Sequence, residues 1–337
     1  MTEVQQVKQD KRPVGKVRAY FCGGAAIDIG ARHYLGTSLS AGMAELHSSF
    51  IDTTRSNIAS FQIPANAVYL IPGAKEGSGK KRDENYEAVM AALENLVTAQ
   101  APLDFNIVIA AGGGGTGNVI QHCLYNWLVA NGHNAVMIFI ACTDSEIAAR
   151  NSMRSLQSLE NEFMDAGVDY RMIYVHNEKG ETFAKADAAV IEAINCLLFI
   201  ASNQNDGLDR SDLHHFINTS KPLRSEPSFG TIKFRQDNEF DDIKYADAVL
   251  TIFSTAEREP LKIDTGYDTI GRYPFPMEKG FKSLHALILN DGLGEVFDRL
   301  AKVNEHYETQ RTSRVGNRSI VSDDKKAVKV GKSGFMI

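Results

Sequence analysis

The stretch VIAAGGGGTGNVIQ, residues 108–121, decides how this chain is interpreted, because it places five glycines within six positions. Apolar residues precede the glycines, and a helical pattern of apolar residues follows them. Glycine loses more conformational freedom on folding than any other residue, so such a run indicates a place where bare backbone is required. A strand, a glycine loop and a helix in this order are typical of sites that bind phosphate groups.

The same alternation of strand and helix extends along the first half of the chain. Strands are predicted at 16–22, 67–71, 105–111, 135–142 and 170–175, and helices at 84–99, after the glycines, and at 145–166. The strands are too apolar for a sheet with one solvated face, which favours burial on both faces. We therefore predict an α/β fold with a doubly wound parallel sheet and its ligand at the carboxyl edge.

Composition restricts the class of protein. The chain has 337 residues, 43% of them hydrophobic and 23% charged, which is ordinary for a globular protein of about two domains. Its formal charge of −6 argues against general nucleic-acid binding. The four cysteines form no CxxC pair, the N-terminus lacks the pattern of a signal peptide, and no apolar stretch is long enough to cross a bilayer. A cytoplasmic location is expected.

Two familiar phosphate motifs fit the glycines poorly. Gly112, Gly114 and Gly117 match G-x-G-x-x-G, the fingerprint of NAD(P)-dependent oxidoreductases, but the strand that precedes them is not the first of the sheet. No acidic residue follows about 20 positions later, where the ribose partner belongs. AKEGSGKK (74–81) fails as a Walker A loop, because Ala74 replaces the first Gly and Lys81 replaces Ser or Thr.

A third interpretation combines several loops. The glycine run opens a helix, whose free amides and dipole attract an anion, and Thr116 adds a hydroxyl donor. CGGAAIDIG (22–30) offers a second amide-rich turn at the same edge of the sheet. Two such cradles suit a triphosphate better than a single phosphate.

In sequence order these loops resemble those of the tubulin/FtsZ superfamily. GGGGTGN (112–118) is similar to its glycine signature on the fourth strand–helix junction. GGAAIDI (23–29), with Ala25 and Ala26 where many members carry Gly and Asp28 where many carry Asn, resembles the first nucleotide loop. IDTT (51–54), PGAKEGSG (72–79), TDSEIAARN (143–151) and VHN (175–177) resemble the second, third, fifth and sixth. The resemblance covers about residues 17–310.

This resemblance implies a site for GTP or GDP. Phe183 would stack on the base and Asp187 would read the guanine edge, while Glu146 and Arg150 would face the ribose and guanine. Mg²⁺ is implied with the nucleotide, with Asp52 and Glu76 as candidate ligands, and no separate protein metal site is predicted. The residues assigned to the nucleotide are Gly23, Gly24, Ala25, Asp28, Asp52, Thr53, Gly73, Gly112, Gly113, Gly114, Gly115, Thr116, Gly117, Asn118, Thr143, Glu146, Arg150, Asn177, Phe183 and Asp187.

The resemblance places the catalytic acids in GLDRSDL (207–213). In this superfamily an N-x-D-x-x-D loop projects from one subunit onto the nucleotide of the next, and Asp209 and Asp212 match its two acids. They would orient and polarise water for attack on the γ-phosphate. Gly207 stands where the family has Asn. On spacing alone, the same two acids equally suit the N-cap and first turn of an ordinary helix.

The predicted organisation has five parts. These are a flexible arm (1–15), a GTP-binding domain (16–180), a buried connecting helix (181–203), a smaller α+β C-terminal activation domain (204–300) with catalytic loop 205–213, and the end of the C-terminal helix with a tail (301–337). Residues 302–337 carry a net charge of +4 against −10 for the remainder. The resemblance, to phage-encoded tubulins in particular, implies that the tail docks on a neighbouring subunit, which is consistent with these charges; a solvated tail and a DNA- or adaptor-binding tail are the alternatives.

These features together predict a GTP-dependent, filament-forming cytoskeletal GTPase whose partner is another copy of itself. The compact size, divergent first loop and basic tail resemble phage-encoded tubulins of the PhuZ type, which build a spindle that positions viral DNA in the host cytoplasm. Nucleic acid would then be only an indirect cargo, and no membrane partner is expected. A plasmid-segregating filament and an NAD(P)-dependent oxidoreductase are the alternatives.

Overall fold

The computed structural model describes residues 12–316, apart from 38, 41, 77–82, 178, 179, 181, 238, 239, 241, 255–260, 274–281 and 291. The predicted tail from 317 onward, most of the predicted arm and part of the third nucleotide loop lie outside the described residues. The strands are β1 Lys16–Cys22, β2 Glu45–Asp52, β3 Val68–Leu70, β4 Phe105–Ala111, β5 Ala135–Cys142, β6 Tyr170–Asn177, β7 Phe229–Gln236, β8 Tyr245–Phe253, β9 Asp264–Arg272 and β10 Ser283–Leu289. The α-helices are α1 Gly23–His33, α2 Tyr86–Ala99, α3 Thr116–Ala130, α4 Glu146–Ala166, α5 Phe183–Ile200, α6 Arg210–Ile217, α7 Ser220–Leu223 and α8 Gly292–Gly316.

All these strands belong to one sheet, in the order β3-β2-β1-β4-β5-β6-β7-β10-β8-β9. From β3 to β7 every neighbouring pair is parallel. The chain order reverses between β1 and β4, which lie side by side with Tyr20 opposite Val108. This is the topological switch point at which open α/β sheets bind ligands, and the predicted doubly wound parallel sheet is confirmed.

The C-terminal strands extend this sheet. β7 pairs in parallel with β6, β10 runs antiparallel between β7 and β8, and β9 forms the far edge. The buried Arg171 ties the two parts together, because its guanidinium donates to the Ser228 carbonyl at 2.8 Å and to Thr219 Oγ1 at 2.7 Å, and pairs with Asp169 at 3.0 Å. The segment predicted as a smaller α+β domain is therefore hydrogen-bonded to the nucleotide half of the sheet.

Helices cover both faces of the sheet and bury two apolar layers. Along β4 the side chains alternate: Phe105, Ile107 and Ile109 pack with α1, α5 and α6, whereas Val108 and Ala110 pack with α2, α3, α4 and α8. This two-sided burial explains the near-continuous apolar runs in the sequence. Among the described residues, no helix combines the length and apolar character needed to cross a membrane.

The connecting helix α5 is buried unevenly. Its second half, through Leu197, Leu198 and Ile200, is buried against the sheet, whereas its first turn is exposed. The helix spans 18 residues and is therefore about 27 Å long. Its two ends consequently lie in different environments, one at the carboxyl edge of the sheet after β6 and the other near the loop that precedes α6.

Candidate nucleotide site and acid loop

The glycine run lies at the carboxyl edge of the sheet, directly after β4. Gly23 follows the adjacent strand β1, so the two predicted phosphate-binding segments, which begin at Gly23 and Gly112, lie side by side at the switch point. The segment predicted as an amide-rich turn at 22–30 is in fact helical from Gly23 onward. Two helix N-termini, those of α1 and α3, therefore converge on this edge, and neither carries an acidic residue in its first turn. Their unpaired amides favour an anion.

Gly23 and Gly117 pack backbone against backbone. A Cβ atom on Gly23 would lie 2.7 Å from Gly117 Cα, and one on Gly117 would lie 2.3 Å from the Cys22 carbonyl oxygen. Gly23 also has φ of +77°, a conformation that disfavours side chains. These two glycines are thus required to bring the cradles together.

The glycines at 112–114 have different neighbours. A Cβ atom on Gly112 would lie 2.2 Å from the Phe139 ring, and one on Gly113 would lie 2.7 Å from Cys142 Cβ. A Cβ atom on Gly114 would meet only the Ala111 carbonyl oxygen, at 3.4 Å. Protein packing therefore explains Gly112 and Gly113, whereas the backbone at Gly114 faces free space. Close approach of a ligand would account for a glycine there.

Helix α4 holds the glycine run in place. Asn151 Nδ2 donates to the Gly113 carbonyl at 3.3 Å, and the Ser155 hydroxyl lies 3.3 Å from the Gly112 carbonyl and 2.8 Å from Asn118 Oδ1. All three side chains are buried. Asn118 was assigned to the nucleotide from sequence, and here its amide oxygen is a support for this network. Ser155 was missed, although buried serines on an otherwise amphipathic helix were a usable signal.

The second nucleotide loop is ordered by Asp52 at the end of β2. Its Oδ1 accepts the Thr53 amide at 2.6 Å, and its Oδ2 accepts Asn57 Nδ2 at 2.7 Å. Asn57 in turn lies against Gly24, where a Cβ atom would come within 2.9 Å of its side chain. Gly73, in the third loop, has φ of +70° and open space around it.

The carboxylate of Asp52 therefore already serves two protein donors. Within the described ranges, no group of three or more His, Cys, Asp or Glu residues is arranged to hold a metal ion. The part of the chain that the structure describes therefore holds no cage of three or more such ligands for magnesium. Magnesium held in nucleotide sites commonly takes most of its ligands from phosphates and water.

The ends of β5 and β6 are joined beside the glycine run. The Thr143 amide and hydroxyl both donate to the Asn177 carbonyl at 3.1 Å. Asn177 is buried, and its Oδ1 has no hydrogen-bond partner among the described residues. An unpaired buried amide oxygen is costly, so this atom is suited to a donor from a ligand.

Glu146 and Arg150 occupy the first turns of α4. They form an ion pair with each other, and Arg311 on α8 lies 3.8 Å from the same carboxylate. Tyr307, on the same helix, donates its hydroxyl to the Thr143 carbonyl at 2.8 Å. Helix α8 thus braces this side of the site, a role that sequence reasoning did not assign.

The first turn of α5 presents an aromatic ring and a carboxylate. Phe183 is 66% exposed, unusual for a side chain of its size, and lies one turn before Asp187 on the same face. Partial burial, and then the nearby Asp28, raise the pKa of Asp187. Asp28 itself pairs with Arg32 at 2.8 Å. An exposed ring beside a carboxylate is what a stacked base with N–H donors would need.

Asp209 and Asp212 form a capping box at the start of α6. Asp209 Oδ1 accepts the Ser211 and Asp212 amides at 2.7 and 3.0 Å, and Asp212 Oδ2 accepts the Asp209 amide at 2.8 Å. The hydrogen bond from the Asp212 amide lowers the pKa of Asp209. The ordinary capping interpretation is thus realised, but Asp209 remains exposed and keeps its second oxygen for solvent or another molecule.

The acid loop lies at the amino ends of the parallel strands, whereas the glycines lie at their carboxyl ends. Arg210 pairs with Asp104 at 2.9 Å, and His214 Nδ1 lies 2.7 Å from Asn134 Oδ1. Asp104 and Asn134 immediately precede β4 and β5, so they mark the amino ends of strands whose carboxyl ends carry the glycine loops. A seven-residue strand spans about 23 Å. The acids therefore cannot reach the glycine site of their own chain.

Gly207 adopts φ of +77° in the turn before the acids. Apart from Gly, Asn is among the few residues that adopt this conformation readily. The departure from the N-x-D-x-x-D pattern therefore keeps the backbone geometry and removes only a side-chain amide.

Comparison with known proteins shows which proteins this chain resembles. No protein-family model matches the chain. It is 22% identical to a phage tubulin-like protein of Pseudomonas phage PhiPA3 over 316 residues, covering 92% of this chain and 96% of that protein. It is 23% identical over 329 residues to a phage tubulin-like protein of Pseudomonas phage phiKZ, covering 94% of this chain and 97% of that protein.

Solved structures give the same result for the fold. A protofilament of TubZ from bacteriophage PhiKZ superposes with a TM-score of 0.79 at 22% identity, over 95% of this chain and 99% of that one. The phage tubulin PhuZ with GDP gives 0.78 at 16% identity and the same coverage. FtsZ from M. jannaschii gives a TM-score of 0.59 at 18% identity, over 81% of this chain and 90% of that one. The resemblance read from the sequence, to the tubulin/FtsZ superfamily and its phage-encoded members, is confirmed.

Proposed function

Because this chain is a phage-tubulin-like member of the tubulin/FtsZ superfamily, we propose that it is a GTPase that assembles head to tail into filaments. The observation that carries the proposal is the separation of two regions of one continuous sheet. The glycine loops lie at the carboxyl ends of the parallel strands, whereas the acid loop lies at their amino ends. A complete hydrolytic site then requires the glycine edge of one copy and the acid loop of the next. Sequence similarity to two phage tubulin-like proteins along nearly the whole chain supports it.

The substrate is a guanine nucleotide. The phosphates bind where the N-termini of α1 and α3 converge, with Gly114 allowing close approach of the backbone. The base stacks on Phe183, and the Asp187 carboxylate accepts the two N–H donors that guanine presents on one edge. The structure of a phage tubulin with GDP supports this choice of base.

The acids act on a water molecule at the interface. Asp209 stays ionised, since its pKa is lowered, and its free oxygen can accept a proton from water aligned with the γ-phosphate of the neighbouring copy. Asp212 holds the Asp209 backbone through the capping box and presents a second carboxylate beside it. Hydrolysis followed by release of the γ-phosphate removes a group that both copies contact, so it weakens the junction between them.

We further propose that the filaments position phage DNA in the host cytoplasm, with the nucleic acid as cargo. The phage origin of the two similar proteins supports this setting. A basic C-terminal segment, +4 over residues 302–337, would meet an acidic body on the adjacent copy. The docking of that tail is part of the proposal, since most of it lies outside the described residues.

Sedimentation and GTPase assays over a series of protein concentrations test the proposal. Turnover per subunit should be negligible below a critical concentration and should rise with pelleted protein above it. GTP should support pelleting, whereas GDP, NAD⁺ and NADP⁺ should not. Turnover per subunit that is independent of concentration would contradict the shared site. Binding of NAD(P) in preference to GTP would instead favour the oxidoreductase alternative.

A further inference from the structure

The segment before β1 is bonded to the loop that leads to the acids. Gln204 Nε2 donates to the Arg12 carbonyl and Asn203 Nδ2 donates to the Pro13 carbonyl, both at 2.9 Å. The Gly15 amide donates to the Ser202 carbonyl at 2.8 Å. The sequence predicted a flexible arm over residues 1–15, but residues 12–15 lie against the acid loop.

Arg12 makes the closest contacts of this segment. Its Nη1 donates to the Leu208 carbonyl at 2.6 Å, and its Nη2 donates to the Asn205 carbonyl at 2.5 Å. Guanidinium is planar and presents paired donors in a fixed fork, so it holds both carbonyls in one orientation. Lysine, with a compact ammonium group, lacks this paired geometry.

The Leu208 carbonyl belongs to the same peptide group as the Asp209 amide. That amide donates to Asp212 Oδ2 at 2.8 Å, so the peptide is held at its oxygen by Arg12 and at its nitrogen by Asp212. Because a peptide group is planar and includes the Cα atoms at both of its ends, holding its oxygen and its nitrogen fixes the position of the Asp209 Cα atom, from which the side chain extends. The positive charge of Arg12 also contributes to keeping Asp209 ionised.

The other side of the loop is fixed by a different element. Asp206 and Arg272, at the end of β9, exchange backbone hydrogen bonds of 2.7 Å in both directions. Leu208 packs where Gly271 leaves room for it, since a Cβ atom on Gly271 would lie 3.0 Å from Leu208 Cβ. The loop therefore retains an anchor when Arg12 is changed, and loss of the arginine should misorient it without unfolding it.

From these contacts we propose that Arg12 is a positioning residue for GTP hydrolysis, setting the orientation of Asp209 toward the nucleotide of the adjacent copy. This inference rests on the proposed function. It assigns to the segment before the first strand a role in turnover that is separate from nucleotide binding. Misplacement of a catalytic group by about 1 Å can reduce rate by about 100-fold, so even a modest change of loop orientation is measurable.

The test uses the full chain with Arg12→Ala and Arg12→Lys, and with Arg154→Ala as a control for an exposed arginine on α4. GTP binding below the critical concentration should be unchanged in all three. Turnover per pelleted subunit should fall at least about tenfold in Arg12→Ala. It should fall less in Arg12→Lys, which keeps the charge but loses the fork, and should stay within about twofold of wild type in Arg154→Ala.

A double variant separates positioning from general destabilisation. If Arg12 acts through Asp209, Arg12→Ala combined with Asp209→Asn should turn over no more slowly than Asp209→Asn alone. Additive losses, or wild-type turnover in Arg12→Ala filaments, would overturn the inference while leaving the proposed GTPase intact. Absence of concentration-dependent turnover in the wild type would overturn both.

Discussion

Asp209 accepts the backbone amide of Asp212 at 3.0 Å, and Asp212 accepts the backbone amide of Asp209 at 2.8 Å. The capping function and the proposed catalytic function would thus reside in the same carboxylates, and alanine substitutions would remove both at once. Asparagine caps a helix about as well as aspartate, because it keeps a side-chain oxygen. Asp209→Asn is therefore the informative change.

We expect Asp209→Asn to reduce turnover per pelleted subunit by about 100-fold or more, the scale of a lost general base. Thermal melting and GTP binding by the monomer should change little. Asp298→Asn, an exposed change on α8, is the control. Turnover close to wild type in Asp209→Asn filaments would reduce these acids to helix caps.

Gly114→Ala tests whether the glycine run contacts the nucleotide. The new Cβ meets only the Ala111 oxygen at 3.4 Å, so the melting temperature should hold while GTP affinity falls about tenfold or more. In Gly117→Ala the new Cβ would lie 2.3 Å from the Cys22 carbonyl oxygen, so both the melting temperature and the GTP affinity should fall. Gly294→Ala, with open space on α8, is the control. Retained affinity in Gly114→Ala would place the phosphates elsewhere.

Asp187→Asn tests the reading of the base. Guanine carries an amino group that hypoxanthine lacks, so the wild type should prefer GTP over ITP by about tenfold, the scale of a hydrogen bond to a charged group. The variant should lose most of that preference, while Glu192→Gln, exposed farther along α5, should keep it.

The same carboxylate predicts a pH effect on binding. Its pKa is raised in the free protein, so it protonates at a higher pH than an ordinary aspartate. GTP affinity should decrease as the pH is lowered toward that range, because a protonated carboxyl loses acceptor capacity. Titration calorimetry should show this slope in the wild type, and an equal slope in Asp187→Asn would contradict the assignment.

His285 predicts a pH dependence of stability. It is buried on β10, where its Nδ1 lies 2.9 Å from Thr251 Oγ1 and its Nε2 lies 2.9 Å from Ser283 Oγ. Burial lowers the pKa of this imidazole to about 4. In the unfolded chain this imidazole has a pKa of about 6.5, so it binds a proton at a higher pH than in the folded protein. The free energy of unfolding should therefore fall as pH decreases from about 6.5 to about 4. About 2 kcal/mol should be lost between pH 7 and pH 5.

Urea unfolding at the two pH values measures that loss. His285→Gln should remove most of the pH dependence, because glutamine remains uncharged over this range. His306→Gln, exposed on α8, is the control and should leave the dependence unchanged. A wild-type curve that is flat between pH 7 and pH 5 would contradict the prediction.

Periodicity predicted the apolar centre of the fold well. Strands 16–22, 105–111 and 135–142 are observed with the same bounds, because burial on both faces leaves a continuous apolar signal. β2 and β9 were missed, since ELHSSFID and DTGYDTIGR mix polar residues into half-buried or edge strands. The continuation of the sheet through β7 depends on a pairing that no local pattern encodes.

The candidate site shows a similar division. The glycine run was recognisable because its strand and helix flank it directly in sequence. The contacts of Ser155 and Tyr307 join residues far apart in the chain, and neither is part of a motif. Arg12 was assigned to a flexible arm because its surroundings are polar, and only the folded loop reveals its acceptors.

The placement of glycines and acids on opposite edges of one sheet also has a numerical consequence. Joining unlike ends of identical bodies gives an open row when the rotation from one copy to the next does not close a ring. Under the proposed function, a row contains one fewer complete site than it has subunits, so one terminal nucleotide always escapes hydrolysis. Turnover averaged over all subunits would then increase with row length toward a plateau, and fragmenting the rows by shear would slow phosphate release without any change of sequence.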